Sequence, residues 1–139
     1  MKTNNLKFLA FLDHALLEFL SQKSQYELLS NFLKKKGLSL AFYSVETERT
    51  YLKSDNLIKK MDENPKVNGF IFFSILQISY LENNNIKVIK KLLNKNYEII
   101  FFRENMHIKK DLDLKKNIKK IKLFRDNNLH LIKKLENLI

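Results

Sequence analysis

Lys66–Glu82 reads KVNGFIFFSILQISYLE, and its first half decides the fold. Val67 through Phe73 is β-rich, aromatic and free of charge. A strand apolar on both faces, as Phe70–Phe73 is, belongs in the middle of a sheet covered on both sides. Polar atoms return at Ser74, and Gln77 follows inside the otherwise apolar run Ile75–Ile78, where a buried polar side chain needs a partner or a ligand. Open α/β sheets hold their ligands beyond the carboxyl ends of central strands. The end of this strand is therefore where a site is expected.

Working outward, Leu6–Leu12 predicts a first strand that ends at Asp13-His14. From Ala15 to Lys36 the apolar residues fall three and four apart, the spacing of a helix. Ser21 or Ser24 is suited to cap its second part, and Lys34–Lys36 followed by Gly37 is a helix-end signature. Leu38–Ser44 predicts a second strand, with Glu46–Thr50 as a loop. A helix is expected from Ser54 to Glu63, stopped by Asn64-Pro65. Ile86–Asn94 predicts the next helix, and Ile99–Phe102 a fourth strand ending at Arg103-Glu104. Strands alternating with helices imply an α/β fold, with a four-stranded, mainly parallel sheet and right-handed crossovers.

The tail, residues 111–139, carries Leu114, Ile118, Ile121, Phe124, Leu131, Ile132, Leu135 and Ile139 roughly on one stripe. Lysines lie largely off that stripe. We expect residues 1–110 to form the α/β domain and 111–139 a helical extension, either packed on the domain or pairing two copies as a homodimer.

At 139 residues the chain suits one domain with one core. The N-terminal stretch has the apolar look of a signal peptide, but Asp13 and Glu18 interrupt it. No apolar run approaches the ~20 residues of a membrane span. Absence of cysteine excludes disulfides and fits a cytoplasmic location. The net charge of +11 raises nucleic acid as a partner. However, the only arginines are Arg49, Arg103 and Arg125, and Asn, Ile, Phe and Tyr are abundant. AT-rich codon usage explains that profile more simply, so nucleic acid is the weaker expectation.

Two glycines cannot build a phosphate-binding glycine loop, and no nucleotide fingerprint or nucleophile elbow is present. His14, His107 and His130 lack the spacing of metal ligands. No metal or cofactor is expected. If strands one and three are central neighbours, their ends bring Asp13, His14, Ser74 and Gln77 together, and strands two and four add Ser44, Glu46 and Glu104. His14 beside Asp13 offers acid–base chemistry, while Ser44, Glu46, Ser74, Gln77 and Glu104 offer hydrogen bonds to a ligand.

GFIFFSILQISY and NIKVIKKLLNKNYEIIFFREN, with a long helix after the last strand, resemble the N-terminal domain of serine recombinases (resolvases and invertases). That resemblance implies the strand order 2-1-3-4. It does not extend to the reaction. Leu12-Asp13-His14 stands where the family has Arg-x-Ser, and Leu76-Gln77-Ile78-Ser79-Tyr80 where it has Asp-Arg-Leu-Ser-Arg. Phe73-Ser74-Ile75-Leu76-Gln77-Ile78 is also similar to the Tyr-Ser-Leu-Phe-Gln-Leu segment of a family of small proteins encoded in bacterial surface-carbohydrate gene clusters. Ser44, Glu46 and Glu104 fall near polar positions of that family. Asp13-His14 and Ser79 depart from its Ser-Arg and Pro. This second resemblance implies a role in lipopolysaccharide, O-antigen or capsule synthesis, binding a sugar-phosphate or nucleotide-sugar. Two other expectations follow. One is an inactive recombinase-like protein that binds nucleic acid; the other is a non-catalytic partner subunit of a glycosyltransferase or synthase.

Overall fold

The computed structural model describes residues 6–13, 20–46, 62–63, 66–75 and 85–127. Five strands, β1 (Lys7–Asp13), β2 (Ser39–Glu46), β3 (Gly69–Phe72), β4 (Glu98–Phe101) and β5 (Met106–Ile108), form one sheet in the order β2-β1-β3-β4-β5. The first four run parallel, and β5 is antiparallel to β4. Among the described residues three helices accompany them: α1 (Gln22–Lys35), α2 (Asn85–Asn94) and α3 (Asp111–Asn127). The α/β class and mainly parallel sheet are as the sequence implies. The strand count and order are corrected, because a fifth strand follows the expected four and forms an edge.

Boundaries shift as well. Asp13 and Glu46, read as lying past their strands, are the last residues of β1 and β2. The helix expected from Ala15 begins, within the described residues, at Gln22. There Ser21 is the cap, its hydroxyl oxygen accepting from the Ser24 N–H at 3.1 Å. The helix expected over Ser54–Glu63 lies almost wholly outside the described residues, as does the tail beyond Asn127.

Phe11, Phe72 and Phe101 are register partners across β1, β3 and β4. Their rings form a row, with centroids 5.2 Å apart between Phe11 and Phe72 and 5.5 Å between Phe72 and Phe101. All three are buried. Alternate residues face the other way. Phe73 and Phe102 contact each other, and Phe32 of α1 meets Phe102 edge-on at 5.3 Å. Because β1 is followed by a neighbour on one side and β3 by a neighbour on the other, right-handed crossovers put α1 and α2 on opposite faces. The core is thus buried on both sides, as a double-faced apolar β3 requires.

Both α1 and α2 end in the same motif. Gly37 (φ 74°) follows α1, with the N–H of Leu38 donating to Leu33 O at 2.9 Å and that of Gly37 to Lys34 O at 3.1 Å. Asn96 (φ 68°) does the same after α2, with Tyr97 N–H donating to Leu92 O at 3.2 Å and Asn96 N–H to Leu93 O at 2.9 Å. These are Schellman closures, which satisfy carbonyls the helix itself cannot.

α3 packs against β5 and α2, and Leu114 and Ile121 are buried there. Over this part of the tail the apolar stripe covers the domain. The side chains of Phe124 and of the stripe residues after it lie outside the described set. Among the described residues, no helix is long and apolar enough to cross a membrane.

At the start of α3, Lys110 has no side-chain oxygen to cap the helix, and Asp113 substitutes for one. Its Oδ2 accepts from the N–H of Lys109 at 2.9 Å and of Lys110 at 3.2 Å. The Lys109 N–H is the main reason this carboxyl sits below its ordinary 3.8; burial opposes the shift, while the Lys110 N–H and the charges of Lys110 and Lys116 assist it. A carboxyl depressed in the fold adds stability above its unfolded value, and that stability is lost as pH falls through the folded one. Asp113→Ala is expected to cost about 1 kcal/mol at neutral pH. It should also flatten the acid limb of the melting temperature against pH below about 4, where wild type declines more steeply. Thermal melts of both proteins from pH 7 to pH 2 check this.

Candidate functional site

The parallel strands deliver their carboxyl ends to one rim. Asp13 of β1 and Glu46 of β2 are direct register partners there, and Ser44 stands opposite Phe11 two residues earlier. β3 ends at Phe72, next to Phe11. The neighbouring parallel pairing of β1 and β3, on which the site was predicated, is therefore present in the backbone. His14 and Gln77 lie outside the described residues, as do the side chains of Asp13, Ser44 and Glu46.

Ser74 and Glu104 are brought together most tightly. Ser74 is fully buried, and its hydroxyl donates to Glu104 Oε2 at 2.7 Å. The Ile75 N–H donates to Oε1 of the same carboxylate at 2.9 Å. Thirty residues of chain separate the partners, and the turn after β4 closes the distance. The N–H groups of Phe102 and Arg103 donate to Phe72 O and Phe73 O at 2.9 and 2.8 Å, extending the β3–β4 ladder past the strands. Asn105, at φ 54°, then turns the chain into β5. Glu104 sits on that turn and holds the segment leaving β3. Both of its oxygens are engaged by the protein, so its role is to fix the rim, with Ser74 as its buried anchor.

At the carboxyl end of β1 opens a groove of about 460 Å³, lined among the described residues by Leu12, Gln22, Lys23 and Tyr26. Three of those four belong to the first turns of α1. The N–H groups of Gln22 and Lys23 have no acceptor among the described residues, and the first turn holds no acidic side chain. Unpaired N–H groups and the helix dipole make such an end electropositive. Lys23, exposed at the lip, adds a full positive charge. Beneath it Gln25 is fully buried and donates its amide N–H to Leu20 O at 3.0 Å, bracing the entry to the helix.

Gln22, Lys23, Gln25 and Tyr26 were not singled out from sequence. Gln25 carried a usable signal, since it stands four and eight residues before the buried Leu29 and Leu33, a polar residue in a core stripe. Among the described residues, no three His, Asp or Glu side chains form a group that could hold a metal ion.

No protein-family model matches the chain, and no curated protein does. The described part of the rim combines an electropositive groove, an exposed tyrosine edge and a carboxylate-braced backbone.

Proposed function

We propose that this chain is a resolvase-like α/β domain without recombinase chemistry, which binds a nucleotide-sugar or sugar-phosphate at its strand rim and serves bacterial surface polysaccharide synthesis. The observation that carries the reading is the groove at the end of β1, with the N-terminal turn of α1 and Lys23 on its wall. A phosphate is the ligand group that such a helix end suits. In this reading the phosphate lies against α1 and the sugar extends across the sheet ends. Ser44, Glu46 and Gln77 then meet hydroxyl groups. His14, with Asp13 behind it, is the acid–base residue if a bond is made or broken. The resemblance carried by Phe73–Ile78 supports the polysaccharide context.

Calorimetric titration with UDP-glucose, UDP and glucose 1-phosphate tests the reading. UDP-glucose is expected to bind, and Lys23→Glu to weaken it by about 10-fold or more, near 1.4 kcal/mol. Gln77→Ala should weaken UDP-glucose while leaving UDP unchanged. Failure of all three compounds to bind at millimolar concentration, or wild-type affinity in Lys23→Glu, overturns the assignment.

A further inference from the structure

We propose that the ring of Tyr26 is a stacking platform for a nucleobase, so that a nucleoside diphosphate, rather than a bare sugar-phosphate, is the group this groove recognises. The inference rests on the reading above, in which a phosphate lies against the first turn of α1, and it places a further part of the ligand. Tyr26 lines the same groove as Leu12, Gln22 and Lys23. Among the described residues, the large apolar side chains left exposed are Tyr26, Leu28, Leu112 and Leu123. Tyr26, at 37%, is the aromatic one, and it stands in the groove.

Helix geometry sets the ring beside the phosphate. Lys23 and Tyr26 are three residues apart, so they share a face and differ in height by about 4.5 Å. Long side chains on a helix lean back toward its N-terminus, over the preceding turn. The Tyr26 ring is therefore carried toward Gln22 and Lys23. The turn that bears all three is fixed from beneath, because Gln25 is fully buried and donates to Leu20 O at 3.0 Å.

The order of chemistry across this end of the molecule matches the order of parts in a nucleotide-sugar. From the side of α1 toward the sheet come Tyr26, then Lys23 and the first-turn N–H groups, then the carboxyl ends of β1 and β2 with Asp13, Ser44 and Glu46. A nucleotide-sugar presents base, diphosphate and sugar in the same sequence. A base has a π-face to lay on an aromatic ring, and the hydroxyls of a sugar suit polar strand ends. The groove, about 460 Å³, lies within the range of roughly 300–1,000 Å³ in which small-molecule sites fall. A sugar-phosphate would use the phosphate place and the strand ends and leave the tyrosine uncovered.

Calorimetric titration of the full chain with UDP, ADP, glucose 1-phosphate and methyl diphosphate, which carries the charge of UDP without its nucleoside, tests this. UDP and ADP are both expected to bind about 10-fold or more tighter than methyl diphosphate, because stacking on an aromatic ring tolerates any base. Tyr26→Ala should remove that difference and leave methyl diphosphate and glucose 1-phosphate unchanged, while Tyr26→Phe should keep it. Lys23→Glu should instead weaken all four compounds, since it acts on the phosphate. Nuclear Overhauser contacts between the Tyr26 ring and the uracil protons should accompany UDP binding. Equal wild-type affinity for UDP and methyl diphosphate, or a preference for UDP that survives Tyr26→Ala, overturns the platform and leaves the phosphate reading standing. So does a loss of the same size for glucose 1-phosphate in Tyr26→Ala, which would set the ring against sugar or phosphate. Failure of every compound to bind at millimolar concentration overturns both.

Discussion

Gly69→Ala should lower the melting temperature by about 10 °C, roughly 3 kcal/mol for a chain of this size. Gly69 opens β3 and is the register partner of Phe8 on β1 and Glu98 on β4. A Cβ built there falls on the Glu98 carbonyl oxygen and within 2.7 Å of the Phe8 ring. The Phe8 ring occupies the space that the missing side chain leaves, and meets the His107 ring edge-on at 6.1 Å. A ring can rotate away, but a backbone carbonyl in the middle of a sheet cannot move without disturbing its ladder. Far-UV circular dichroism melts give the answer directly. A variant within about 2 °C of wild type would refute the close-packing account. Adding Phe8→Leu should recover only part of the loss, because it relieves the ring contact and leaves the carbonyl clash in place.

Glu104→Ala should cost about 2–3 kcal/mol and loosen the rim at the same time. The Ser74 hydroxyl and the Ile75 N–H both lose a charged acceptor, and both residues are fully buried. Denaturant unfolding measures the first effect. Amide exchange at Ile75 reports the second, and should accelerate well beyond the change at residues of β1. Glu104→Gln keeps an oxygen for one donor and should cost about half as much. In a double-mutant cycle with Ser74→Ala, a coupling of about 1–2 kcal/mol is expected. Additive effects would mean that the two side chains do not act as a unit.

The alternation of apolar strands with helical spacing made the class of fold legible, and Gly37 after three lysines marked a real helix end. β5 was not legible because Met106-His107-Ile108 is three residues long and becomes a strand only by pairing with β4. Its one local sign was Asn105, a residue tolerant of positive φ, just before it. Glu46 closes β2, but in the sequence a polar residue at a strand end looks like the water-facing residue that follows one. The start of α1 was legible at Ser21, one of the two caps the sequence offers, because its hydroxyl can take a first-turn N–H. The rim was legible as a place, since strand direction dictates it. The partnership of Ser74 with Glu104 was not, because it depends on a turn thirty residues downstream. Nor was the groove beside α1, which arises from how the helix end meets β1.

The brief antiparallel strand at the margin carries one more consequence. Ile99, Ile100 and Phe101 of β4 form an uncharged, aggregation-prone segment that would invite another chain to add on if it lay at the border. β5 consumes those backbone valences with only three residues of its own, and a lysine pair follows immediately. Short length and flanking charge leave little template for further accretion, so this small hairpin guards solubility in a protein otherwise rich in isoleucine and phenylalanine.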